Sequence, residues 1–374
     1  MRVLVHAPAA RMGGARAHVL GLLPELARLG PADDYLVVAQ PDLLGDLPPL
    51  PANWEHRAEQ AQDRGFLARL LWEQLALPRI AARWRADVLL SFGSFIPLRP
   101  GCATVLEAGN ALPFSRHYWQ LLRQEPLGLW ADSVARWALL SASLQAATRI
   151  LAPTRSMRQD LVASLPSVAD RVDVVPWGVA DLFHARTWSE PPADVVLGVS
   201  KHGMNKEFDV LVAALPPLLA RWPGLRLKLT GTPEESRWAR RTAELAGRLG
   251  VAERVDFVGA VPNGDVPRLI EEARLLVFPT WCESFGLPLA EALAMGAPAL
   301  AADIPACREV GGEAACYYQP GSARSLSDAI ACLLGDAALR QRYALAARAR
   351  GAGFQWSANA AGVRRTLALS LGAR

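Results

Sequence analysis

Apolar positions along this chain fall into two recurring patterns: short β-branched runs, and longer stretches in which apolar residues return every three or four positions. RVLVHA (2–7), YLVVA (35–39), DVLLS (87–91), ATVLE (103–107), RILAP (149–153) and RVDVVP (171–176) read as strands. GGARAHVLGLLPELARLG (13–30) and stretches near 66–84 and 129–148 read as the helices between them. The strands are apolar at nearly every position, as a parallel sheet covered by helices on both faces requires. ADLFHARTWSEPPA (180–193) has no periodicity and ends in Pro-Pro, which marks a linker. A second series follows, with strands at DVVLGVS (194–200), LRLKLTG (225–231), RVDFVG (254–259), RLLVFP (274–279) and APALAAD (297–303), and helices over 206–221, 233–249, 264–272 and 287–295. The pattern predicts two α/β domains, 1–180 and 194–353, joined by a linker at 181–193, each a Rossmann-like doubly wound parallel sheet. Ligands of such sheets bind at the carboxyl ends of the strands, so two of them facing each other enclose a central cleft.

A length of 374 residues with 51% hydrophobic and 20% charged positions suits a globular protein and excludes a disordered or fibrous one. The start, MRVLVHAPAARMGG, is interrupted too early for a secretory leader, and WALLSASLQAAT (137–148) is bounded by Arg136 and Arg149, so no membrane span is expected. Five dispersed cysteines (Cys102, Cys282, Cys307, Cys316, Cys332) form no CxxC pair and suggest a reducing cytoplasm. A net charge of +4 is spread along the chain and predicts no nucleic-acid partner. No DxD pair or His/Asp cluster has metal spacing, so no metal is expected.

The most informative stretch is PTWCESFGLPLAEALAMG (279–296). Pro288 suits a first helical turn and Gly296 the position beyond a last one, so a helix begins near Leu287. Its first amides and positive dipole end suit a phosphate, and Gly286 permits a ligand close to the backbone. Glu283 falls just before that helix and Glu291 one turn inside it; either glutamate alone equally fits simple charge complementarity with the dipole.

ESFGLPLAEALAMGAPAL closely resembles the E-x7-E signature of retaining nucleotide-sugar glycosyltransferases of the GT-B type, in the GT4 family that contains sucrose synthase, bacterial glycogen synthases and many cell-envelope mannosyltransferases. The resemblance runs from GGARAHVLGLLPELARLG to ADIPACREVGGEAACYYQPGS (302–322), and GNALPF (109–114) resembles a loop of the family's polysaccharide-assembling branch. It implies that Glu291 binds the ribose hydroxyls of the donor and that Glu283 lies by the transferred sugar. Ser284 and the amides of Phe285, Gly286 and Leu287 would hold the sugar and diphosphate. It further implies that Lys201 and Lys206, in VSKHGMNKEFDVL (199–211), meet the leaving diphosphate; the family usually has arginine where this chain has Lys201, a point charge without the bidentate fork. Gly14 would approach the donor phosphate, Gly13 and Asn110 the acceptor, and the C-terminal helix in 354–374 would pack back toward the N-terminal domain. As plain structure, Gly-Gly and Asn110 also suit ordinary turns, and His18 reads as a packed surface histidine.

The expectation is a retaining, metal-independent hexosyltransferase needing no cofactor. It would move a hexose, such as mannose from GDP, to a glycan or lipid-linked saccharide in cell-envelope polysaccharide or lipopolysaccharide assembly. RGFLARLLWEQLALPRIAARWR (64–85) and HYWQLLRQEPLGLWADSVARW (117–137) mix arginine with tryptophan and leucine at helical spacing, as peripheral docking on the inner face of the cytoplasmic membrane would require, and as sandwich helices also do. The alternatives are a sugar-nucleotide epimerase or phosphorylase on the same fold, or a non-catalytic nucleotide-sugar-binding protein. A dinucleotide oxidoreductase is disfavoured because neither domain start carries GxGxxG.

Overall fold

The computed structural model describes residues 1–10, 13–60, 63, 65–93 and 95–372. They form two compact units, Met1–Gly178 with Gln355–Arg374, and Val179–Phe354.

In the first unit β1 (Arg2–His6), α1 (Gly13–Leu29), β2 (Asp34–Ala39), α2 (Pro41–Asp46), β3 (Trp54–Ala58), α3 (Phe66–Trp84), β4 (Val88–Ser91) and β5 (Ala103–Glu107) are followed by α4 (Arg116–Leu122), α5 (Leu127–Ala146), β6 (Arg149–Ala152), α6 (Arg155–Ser164) and β7 (Val172–Val174). The seven strands pair in the order β3-β2-β1-β4-β5-β6-β7, all parallel. Alternation along the strands serves two buried faces rather than one buried and one wet. Val3 and Val5 of β1 join Tyr35 and Val37 of β2 in one core with α1, whereas Leu4, Leu36 and Val38 point into another with Leu77 and Ile80 of α3. Each such side chain contributes about 1.5–3 kcal/mol by leaving water. Trp54 of β3 is buried and the rest of that edge strand is exposed, so β3 shows no apolar run by which the sequence could announce it.

The second unit runs α7 (Asp181–His184), β8 (Val195–Gly198), α8 (Phe208–Ala213), α9 (Leu215–Arg221), β9 (Arg226–Leu229), α10 (Arg237–Arg248), β10 (Val255–Phe257), α11 (Val266–Glu271), β11 (Leu275–Phe278), α12 (Leu287–Met295), β12 (Ala299–Ala302), α13 (Pro305–Gly311), β13 (Cys316–Tyr318), α14 (Ala323–Gly335) and α15 (Ala337–Gly351). Its six strands are also parallel, in the order β10-β9-β8-β11-β12-β13. Residues 181–193, expected as a linker, lie in this unit: Phe183 and Trp188 are buried, and the Trp188 indole donates to the Ala273 carbonyl at 2.8 Å. The single helix expected over 206–221 is two, broken at Ala214 ahead of Pro216 and Pro217, which have no N–H to continue the ladder.

The last helix, α16 (Trp356–Gly372), belongs to the first unit, where Ala360, Val363 and Leu367 join the core of α1. Gly178 makes room for it: a Cβ there would lie 2.5 Å from the Trp356 nitrogen.

Candidate functional site

In the second sheet β8 and β11 are neighbours from which the chain departs in opposite directions, to β9 and to β12, so the loops beyond their carboxyl ends diverge and leave room for a ligand. Of the predicted residues, Lys201, Lys206, Glu283, Ser284, Phe285 and Gly286 stand on these loops. The two are laced together by backbone: Lys206 bridges Thr280, the Glu207 N–H donates to the Pro279 carbonyl at 3.1 Å, and Trp281 N–H to the Asn205 carbonyl at 3.1 Å. Behind them Glu207 is buried and accepts from the Tyr318 hydroxyl at 2.9 Å; burial raises its pKa, and the Tyr318 and Gly321 hydrogen bonds pull it back.

Lys206 donates to Glu283 Oε1, and the same oxygen accepts from Thr280 Oγ1 at 3.0 Å and Asn205 Nδ2 at 3.2 Å. The Lys206 ammonium also sits 4.5 Å over the Phe278 ring. That ring extends beneath Gly286, where an added Cβ would lie 3.0 Å from it, and Gly286 has φ +93. Glycine is thus needed twice over at the cap of α12, for the left-handed turn and for contact with the ring that supports the lysine. The N–H groups of Gly286 and Leu287 meet no acceptor among the described residues. Ser284 and Phe285 are buried, and Phe285 meets Phe354 edge-on at 5.7 Å.

Glu291, one turn into α12, is only 5% exposed, and no hydrogen-bond or ion-pair donor reaches it among the described residues. Burial alone pushes its pKa up to about 8. Lys201 is exposed at the start of the Lys206 loop. The second unit therefore gathers Lys206, Glu283, Gly286 and Leu287 closely, with Asn205 and Thr280 as members that no sequence spacing announced.

Gly13, Gly14 and Asn110 belong to the first unit. Gly13 has φ +61 and open space around it, while the Trp177 ring lies 3.0 Å from where a Gly14 Cβ would stand and 3.3 Å from that of Gly109. One indole thus sits between the two loops, and its N–H donates to Glu107 Oε1 at 2.7 Å. Asn110 is exposed and its Oδ1 accepts from the Leu112 N–H at 3.1 Å, an Asx turn. His18 is not at the surface, as expected, but 2% exposed. Its Nε2 lies 3.1 Å from Asn359 Oδ1, its Nδ1 2.6 Å from Glu107 Oε1, and the ring stacks on Trp356.

Among the described residues no three His, Cys, Asp or Glu side chains cluster as a metal site would need, and no helix is long and apolar enough to cross a membrane.

Two family models match the chain: "Glycosyltransferase Family 4" over residues 12–182 and "Glycosyl transferases group 1" over residues 193–336. The D-inositol 3-phosphate glycosyltransferase of Nocardia farcinica is 36% identical over 235 residues, covering 58% of this chain and 51% of the relative. The chain spans about half the length of the curated relatives it matches. Among solved structures, sucrose-phosphate synthase from Thermosynechococcus elongatus superposes with a TM-score of 0.78 at 19% identity, covering 100% of this chain and 99% of that one. HepE from Anabaena in complex with UDP-glucose gives 0.74 at 18% identity, covering 99% and 100%. These structural likenesses concern the fold.

Proposed function

Because the chain belongs to the family 4 glycosyltransferases, we propose that it transfers a hexosyl group, with retention and without a metal ion, from a nucleoside-diphosphate sugar to a saccharide or lipid-linked acceptor. The observation that carries this reading is Glu291. A carboxylate that is 5% exposed and has no donor among the described residues is costly to bury. A ribose diol supplies two hydroxyl donors in the geometry a carboxylate accepts, and so offsets that cost.

The rest of the site follows from the same pose. Glu283 faces the transferred sugar, and the N–H groups of Gly286 and Leu287, at the positive end of α12, face the diphosphate. Negative charge grows on that diphosphate as the glycosidic bond breaks, and Lys206 is the cation placed to meet it, with Lys201 on the same loop. Retention would follow if the leaving phosphate oxygen takes the acceptor hydroxyl's proton on the face it has just left. Gly14 is the first unit's candidate for the donor phosphate, and Gly13 and Asn110 are the acceptor-side candidates. The donor is a hexose conjugate such as GDP-mannose, or UDP-glucose, which the Anabaena neighbour binds.

A lipid-linked acceptor, and with it a place at the cytoplasmic face of the membrane in envelope polysaccharide assembly, is supported by α3. Its Leu67, Leu71 and Leu75 are 67%, 52% and 55% exposed in a line one turn apart.

The test is the melting temperature of the protein with UDP, GDP, ADP and their glucose and mannose conjugates, in EDTA. A selective rise with one base is expected. No rise with any of them sinks the donor site. Acceptor-dependent release of the nucleoside diphosphate then separates transfer from epimerisation, phosphorolysis or simple binding.

A further inference from the structure

We propose that Thr280 and Asn205 are positioning residues for the donor sugar, acting through Glu283; this rests on the donor-site reading above. All three donors to Glu283 reach the same oxygen, Oε1, and none among the described residues reaches Oε2. The carboxylate is therefore clamped by one oxygen and presents the other.

The proton bookkeeping supports two neutral donors in this clamp. The Thr280 hydroxyl, on a residue with 0% exposure, lies 2.9 Å from the Asn205 carbonyl, 3.2 Å from that of Cys282 and 3.0 Å from Glu283 Oε1. Its one proton goes to the charged acceptor, which binds it more strongly than a carbonyl does. Asn205 Nδ2 has two protons; one goes to the Cys282 carbonyl at 2.8 Å and the other to Glu283 at 3.2 Å. The Cys282 bond fixes which end of the amide faces the carboxylate.

The clamp matters because Lys206 has two demands on it. When Lys206 turns toward the leaving diphosphate, Glu283 loses its one cationic partner among the described residues. Thr280 and Asn205 remain, and hold the carboxylate aimed at the sugar hydroxyls while the lysine serves the phosphate. They act on the sugar and not on the nucleotide.

That difference is measurable by calorimetric titration of wild type with UDP, GDP or ADP, whichever it binds, and with the glucose and mannose conjugates of that nucleotide. Thr280→Val removes the hydroxyl at constant shape, Thr280→Ser keeps it, and Asn205→Ala sits on a half-buried loop and serves if Thr280→Val fails to fold. Thr280→Val and Asn205→Ala should each weaken the sugar conjugate about tenfold, the loss of one charge-assisted hydrogen bond. The bare nucleotide should stay within about twofold, and Thr280→Ser should bind both as wild type does. Equal losses for conjugate and nucleotide, or no loss for either, overturn the positioning role while leaving the donor site standing. A wild type that binds neither ligand overturns both.

Discussion

Glu291 is the residue at which burial, charge and ligand chemistry meet. Its pKa rises from 4.5 to about 8 because burial strips its carboxylate of hydration. Between those values the folded chain holds a proton that the unfolded chain has released. Stability is therefore fully present below pH 4.5 and falls as pH rises through 8. Glu291→Gln removes the slope: the variant should match wild type near pH 4 and exceed it by roughly 2–4 kcal/mol at pH 9, read by urea unfolding at both values. The same variant should bind the sugar nucleotide at least about tenfold more weakly above pH 8, where wild-type Glu291 is ionised, since an amide offers the ribose diol one acceptor oxygen and a carboxylate two. Unchanged affinity would remove Glu291 from the donor site. His18 shows the opposite case, a histidine whose spacing on a helix says nothing of its burial among Glu107, Trp177 and Trp356.

At the scale of elements, α12 is the most local in origin. Pro288 near its start and Gly296 at its C-cap, φ +73, bound it where the sequence places them. Gly286 is different, because φ +93 is a local demand whereas its contact with Phe278 comes from β11. Gly286→Ala should cost about 1–3 kcal/mol in strain and ring displacement, and should weaken donor binding because Phe278 underlies Lys206 as well. Denaturation and titration of that variant check it; native-like stability would mean that the turn accepts a Cβ. Elements the sequence did not disclose are those whose composition carries no period. β3, at the sheet edge, exposes four of its five positions, and 181–193 holds its aromatic anchors Phe183 and Trp188 amid proline and polar residues.

For the whole molecule, surface charge bears on where it works. A net charge of +4 is modest, but on α3 the only acidic residue, Glu73, is buried and bonded to Arg69 at 2.7 Å, while Arg79 and Arg83 are exposed beyond the leucine line. The protein should sediment with vesicles containing phosphatidylglycerol and not with pure phosphatidylcholine, and about 0.5 M salt should release much of it. Replacing Arg79 and Arg83 with serine should weaken that binding. Equal binding to neutral vesicles, or none to either, argues against a membrane role. The sequence by itself determined the two parallel sheets, because apolar runs bounded by turn residues are local. It also set the glutamate spacing across a helix start, because proline and glycine fix that start within one turn. Only the tertiary structure decided which groups meet. Asn205 and Thr280 lie 75 positions apart, and His18 and Asn359 lie 341 apart. They become neighbours through strand order and helix docking, and the period of a hydrophobic pattern reports which face is buried, not what lies across from it.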